Sequence, residues 1–264
     1  MLEMINLVLA LMGTLAIGWH DFKTSDIPEM LVFPLLVLGL LVAGVDSYIT
    51  SNIAYITNSV LTLLLFGIFG GILYYGRAWG DGDWALLAAV GANITFYSIG
   101  TATIFPFAAS YMINLFFFGM FYSALYVWAY LRKNPQAIKE FWHIFKKREL
   151  TFIATVALAL SLYWKFSLPF VLMTSVVLAL SVPFYSISKI GEKFMERKIS
   201  ARDLREGDVL SDGRIQGLTK AEIDRLKRSK KFVKVKDGVR YGLVFFFALV
   251  LTLAGDVTGL LLIS

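Results

Sequence analysis

The chain reads as an all-α polytopic membrane protein with about eight transmembrane helices (six as the alternative count) and a small α+β cytoplasmic insert. Three observations predict this. Of 264 residues, 58% are hydrophobic and only 17% charged, against about 25% charged in an average soluble domain. Eight apolar segments reach or approach the ~20 residues needed to cross ~30 Å of hydrocarbon. When those segments alternate across a membrane, the basic residues collect on one side. The mean hydropathy of +0.69 also excludes intrinsic disorder, which needs low hydrophobicity and high net charge. The net charge of +6 in a membrane chain points to positive loops on the cytoplasmic side before it points to nucleic acid. With no cysteine and only His20 and His143, disulfides, thiolate nucleophiles and cysteine or histidine metal clusters are excluded.

The expected spans are residues 4–19, 31–45, 53–75, 84–100, 107–131, 152–164, 168–186 and 241–263. The first is apolar without a basic leading region, so it reads as a span and not a signal peptide. The long apolar run from 84 to 131 is divided near 100–106, where glycine and proline punctuate it. The short segment 152–164 pairs with 168–186 as a hairpin, because basic stretches flank both. With Met1 outside and eight crossings, residues 20–30, 76–83, 132–151 and 187–240 lie inside. All of the 25 Lys and Arg except Lys165 then face the cytoplasm, a strong positive-inside bias. The expected division is a transmembrane bundle over 1–187, a cytoplasmic α+β insert over 188–240 and a final helix over 241–264.

Within the insert, Thr219-x-x-Glu222 is a capping box that opens a helix to about Lys230. Asp237-Gly238 between residues 232–236 and 239–241 signals a hairpin. Ser211-Asp212-Gly213 signals a second turn. The insert's basic residues fit contact with anionic headgroups, and substrate docking is a further reading.

Acidic residues at membrane depth cost roughly 2.5–3.5 kcal/mol at a span centre, so the informative acids are those that touch spans: Asp21, Asp26, Asp81, Asp83 and Asp256. Asp21 closes the first span and Asp83 opens the fourth, both on the inner side. Two neighbouring carboxylates cannot both ionise cheaply, so they share a proton and their pKa values split. That pair suits hydrolysis: the ionised one takes a proton from water and the protonated one gives a proton to the carbonyl or leaving amine. Gly80 and Gly82 around Asp81 allow positive φ and close approach of another backbone. On spacing alone, Asp83 is equally a helix N-cap. Asp81 reads as a turn residue, Asp26 as solvated, His20 as an interfacial ring and Asp256 as a boundary residue.

Asp21-Phe22-Lys23-Thr24-Ser25-Asp26-Ile27-Pro28 resembles the D-x-K-T-x-x-[IV]-P element of type IV prepilin peptidases and archaeal preflagellin peptidases, the G-x-G-D membrane aspartyl proteases. Gly80-Asp81-Gly82-Asp83 and the helix after it resemble their G-x-G-D element. The resemblance covers residues 1 to about 131, and residues 203–226 look like an insert of archaeal members. It implies that Asp21 and Asp83 are the catalytic pair, supported by Gly80, Gly82, Lys23 and Pro28, with no metal and no cofactor. It also implies an aspartic endopeptidase of the cell membrane, multi-pass, with its site facing the cytoplasm. Its partners would be pilin-like or flagellin-like precursors and membrane lipids, with no nucleic acid. Ala85 stands where the family often has Lys, and Lys23 is the nearby substitute. With no cysteine there is no cysteine-rich domain of the bacterial kind, so N-methylation is not implied.

Three other classes fit parts of the pattern. A presenilin-like G-x-G-D protease would carry its second Asp late, followed by Pro-Ala-Leu, which this sequence lacks. A transporter would place acids in an ion path, and no inverted repeat is evident. An assembly scaffold would tolerate neutralisation of both aspartates. The orientation is tested by single-cysteine labelling of intact cells, made clean by the lack of native cysteine. Ser200→Cys should react only after permeabilisation, and Ser167→Cys from outside.

Overall fold

A computed structural model describes residues 2–76, 79–94, 107–166, 186–187, 189–191, 193–204, 206–212, 217–236 and 238–254. In chain order the elements are α1 (Leu2–Thr24), α2 (Glu29–Thr50), α3 (Ala54–Tyr75), α4 (Asp81–Asn93), α5 (Phe107–Leu131), α6 (Pro135–Lys147), α7 (Glu149–Phe166), β1 (Glu196–Ser200), a 3₁₀ turn (Ala201–Asp203), α8 (Lys220–Ser229), β2 (Phe232–Lys236) and α9 (Gly242–Ala254). Among the described residues, four helices are long and apolar enough to cross a membrane: Met4–Thr24, Glu29–Thr50, Ala54–Tyr75 and Phe107–Leu131. The described apolar parts of α7 and α9 are shorter, Glu149–Leu158 and Gly242–Ala254. The expected span 168–186 lies outside the described residues except at its last position, and Asp256 lies outside them.

The chain divides into two compact units, Met1–Gly119 with Arg240–Ser264, and Met120–Val239. In the first, α4 is the hub, packed against α1, α2 and α3, while α9 packs on α1. The α4 sequence explains the position. Its Ala, Val and Gly positions let neighbours approach, and Leu86, Leu87, Ala89 and Val90 are fully buried. By contrast α1 to α3 expose large apolar side chains such as Met12, Leu41 and Ile68. On helices of spanning length, such a surface suits lipid.

Polar side chains tie these helices together. Asn93 of α4 donates through Nδ2 to Leu35 O of α2 at 3.0 Å and to Ala89 O at 2.8 Å. Asn6 of α1 donates to Gly39 O of α2 at 3.3 Å. Ser59 of α3 donates to Ala92 O of α4, and Asn114 of α5 to Thr252 Oγ1 of α9 at 3.0 Å. Gly39 makes the first of these possible, because a Cβ there would lie 2.6 Å from Asn93 Nδ2.

In the second unit, Asn134 caps α6 by accepting from Gln136 N–H at 3.0 Å, with Pro135 in the first turn. This helix was not expected within the basic loop 132–151. Ala137, Phe141 and Ile144 face an apolar cluster with Val127, Leu131, Ile190 and Met195, and Lys193 pairs with Glu140 at 2.6 Å. The capping box forms as expected: Thr219 N–H donates to Glu222 Oε2 at 2.9 Å, and Glu222 N–H donates to Thr219 Oγ1 at 3.4 Å. Of the hairpin expected around Asp237-Gly238, Asp237 lies outside the described residues, and residues 239–241 are not a strand. β2 pairs antiparallel with β1, Glu196 opposite Lys236 and Ser200 opposite Phe232. Its other edge is bridged at Val235 by Leu210. Both edges are thus taken, and Val233 and Val235 point into a core with Ala201, Leu204, Leu218 and Ile223.

Gly39→Ala should destabilise the chain by about 1–3 kcal/mol, as overpacking does, by forcing Asn93 out of its slot. Gly44→Ala on the same helix, where a Cβ meets nothing within 4 Å, should be neutral or stabilising by up to about 1 kcal/mol. Denaturant unfolding in detergent micelles, followed by circular dichroism, separates the two.

Candidate active site

Asp21 lies in the last turn of α1 and is buried. Its backbone carbonyl accepts the Ser25 N–H at 2.7 Å, with Ser25 at φ 60° ending the helix. Its side chain has a partner from far along the chain: Gly242 N–H, at the start of α9, donates to Asp21 Oδ2 at 2.7 Å. The Arg240 guanidinium acts electrostatically on the same carboxylate, as do Asp26 and His20.

Asp83 lies in the first turn of α4, and Gly80 is the N-cap. Asp83 is therefore the third residue of the helix and not its cap. Its Oδ2 accepts the Gly80 N–H at 3.2 Å, the carboxylate half of a capping box. Asp83 as a residue is partly exposed, while protein atoms crowd its carboxyl. That burial, then the charges of Asp21 and Asp81, push its pKa up to about 7 against the opposing pull of the Gly80 N–H. Asp21 and Asp83, 62 positions apart in sequence, thus come within electrostatic reach where α1 meets α4.

The supporting residues behave differently from one another. Gly80 has φ −78° and ψ 168°, ordinary extended backbone, and among the described glycines only Gly207 has positive φ. Close approach, not positive φ, is what Gly82 provides: a Cβ there would lie 2.6 Å from Ile27 Cβ. Gly82 thereby seats the start of α4 against the loop after α1. Pro28 caps α2, and its carbonyl accepts Leu31 and Val32 N–H at 3.0 and 3.2 Å. Lys23 is exposed, with Nζ 4.9 Å from the Trp19 ring centroid. Asp81, expected as a turn residue, is instead the first residue of α4; it is exposed and accepts Gly82 N–H at 2.8 Å. His20 Nδ1 lies 3.0 Å from both Asp26 O and Thr24 Oγ1, which fixes the loop beside Asp21. Among the described residues no three His, Asp or Glu side chains converge as a metal site would require.

Sequence reasoning missed Arg240, Tyr241 and Gly242. The only local signal is a glycine directly after Arg-Tyr at the head of the last apolar segment. Nothing in the spacing links it to Asp21.

Residues 8–128 match the type IV leader peptidase family. The chain is 34% identical over 122 residues to prepilin peptidase EppA of Methanothermobacter thermautotrophicus, covering 43% of this chain and 31% of that protein. It is 24% identical over 143 residues to the preflagellin peptidase of Methanocaldococcus jannaschii, covering 52% of this chain and 61% of that one. The matched regions therefore span less than two thirds of either relative. No solved structure matches the chain.

Proposed function

We propose, from the match of residues 8–128 to the type IV leader peptidase family, that the chain is a membrane aspartyl endopeptidase. It cleaves the short basic leader of pilin-like or flagellin-like precursors at the cytoplasmic membrane face. The observation that carries this reading is that Asp83, at the start of α4, lies within electrostatic reach of Asp21, at the end of α1, and is raised to about 7 by burial and its neighbours' charge.

The two carboxyls then have separable tasks. Asp83, which keeps its proton up to about 7, is assigned the acid role, and Asp21, held at Oδ2 by the Gly242 N–H, is assigned the role of the ionised partner that takes a proton from water. The water oxygen bonds to the scissile carbonyl carbon, while Asp83 gives its proton to the carbonyl oxygen. Collapse of the tetrahedral species breaks the C–N bond: the amine leaves with the proton that Asp21 gained, and one hydroxyl proton returns to Asp83, which leaves a carboxyl product and both aspartates as they began. Gly80, where a Cβ would meet only Asp83 Oδ2 at 3.6 Å, leaves room for an extended substrate segment, whereas the space at Gly82 is taken by Ile27. A small residue before the precursor's apolar helix keeps the scissile bond out of helical hydrogen bonding.

Asp21→Asn and Asp83→Asn should each lower cleavage by on the order of 10⁴-fold, because groups that act as a unit fail together. Asp81→Asn should keep most activity. N-terminal sequencing of a precursor incubated with each correctly inserted variant reads this directly; wild-type rates in either dyad variant would remove the assignment and favour a scaffold or transporter.

The pH dependence has a fixed sign. A carboxyl raised to about 7 keeps its proton through the mildly acidic range and loses it above. Cleavage that needs that proton should fall as pH rises through about 7. Asp81→Asn removes a like charge from Asp83, so the alkaline limb should move to lower pH, with the acidic plateau unchanged. A pH–rate profile of kcat for the two proteins checks both statements.

A further inference from the structure

The head of α9 touches both segments that carry the candidate aspartates. Arg240 Nη1 donates to the Phe22 carbonyl in the last turn of α1. Gly242 N–H holds Asp21 Oδ2 at 2.7 Å. Between them, the Tyr241 ring packs on Trp79 with centroids 5.5 Å apart, and Trp79 directly precedes Gly80. Tyr241 OH donates to Leu115 O at 3.4 Å, in a notch that exists only because residue 119 is glycine; a Cβ there would fall 1.5 Å from the hydroxyl.

The fit at Gly242 is equally tight. A Cβ at 242 would lie 2.9 Å from Gly18 Cα and 3.0 Å from Asp21 Cβ and Oδ2. Only glycine brings this N–H to the carboxylate. Helix packing alone explains the Gly18–Gly242 contact, but not a guanidinium aimed at the end of α1 and a ring seated before the Gly80 turn.

We propose that Arg240-Tyr241-Gly242 is a positioning element of the peptidase site, setting Asp21 against Asp83 and selecting which oxygen of Asp21 works. With Oδ2 held by Gly242, proton exchange with water falls to Oδ1. The charged groups around Asp21 are Arg240, Asp26 and His20, and those around Asp83 are Asp21 and Asp81; Arg240 is the cation contributed by the segment leading into α9. The inference rests on the aspartyl reading above.

The test uses the full chain in detergent micelles and a precursor with a basic leader, a small residue and an apolar helix. Asp21→Asn is run beside Arg240→Gln, Arg240→Lys and Gly242→Ala, with kcat, KM and thermal midpoint measured for each. In Arg240→Gln, kcat should fall at least roughly tenfold, with KM within about twofold and the midpoint near wild type, since misplacement of a reacting group acts on turnover. Arg240→Lys should recover most of that loss by restoring the charge. Gly242→Ala, where it folds, should lose on the order of 10²-fold in kcat. A folded Arg240→Gln with wild-type kcat, an effect on KM alone, or a loss that Lys does not relieve would each overturn the proposal. An active Asp21→Asn would instead overturn the aspartyl reading itself, whatever the Arg240 variants do.

Discussion

A carboxylate enclosed among apolar helices needs a hydrogen-bond donor, and for Asp21 that donor is the backbone N–H of Gly242. Much of the first unit follows from this one bond. The end of α1 and the start of α9 must meet, so both carry glycine at the crossing, Gly18 and Gly242. The chain must turn at Arg240-Tyr241 to present a free helix N-terminus, whose first N–H groups have no partner within the helix. Residues 239–241 are then committed to this turn and cannot form a strand beside β2.

Hydrogen bonds between helices in a membrane average only about 0.6 kcal/mol each, so the polar ties of Asn6, Asn93 and Asn114 cannot hold the bundle alone. Close packing supplies the rest. Fully buried Leu86, Leu87, Ala89 and Val90 on α4, with Phe245, Ala248 and Leu249 on α9, form the contacts that dispersion rewards. The amides fix which residues meet. Asn93 can reach Leu35 O only across Gly39, which sets how α4 sits against α2 and, through it, where Asp83 lies.

Much of this was legible in the sequence. Length and apolarity located the helices around residues 4–19, 31–45, 53–75 and 107–131, each within a few residues of the structure at most of its ends. The Thr219 capping box was read correctly because both of its partners lie within four residues. Asp21 and Asp83 were singled out because carboxyls beside apolar runs are costly. The failures share a cause. The turn signal at Asp237-Gly238 is local, whereas the choice of partner for β2 depends on β1 and Leu210, both distant in sequence. The φ argument for Gly80 and Gly82 used an intrinsic preference, whereas Gly82 is set by a neighbour, Ile27. α6 was hidden because its alternation of basic and aromatic residues does not reach the hydropathy of a span. The contribution of Arg240-Tyr241-Gly242 is invisible to any reading by local spacing, since 221 positions separate donor from acceptor.

That separation also has a meaning in time. Asp21 is synthesised 221 residues before Gly242. At about 5–20 residues per second, the carboxylate waits roughly ten to forty-five seconds for its donor. During that interval α1 to α4 can already assemble around one another, bringing Asp83 into place first. α9 is made well after α1 to α4 and is the helix that closes the site, so a chain still on the ribosome, or truncated before α9, holds both aspartates without the turn that orders them.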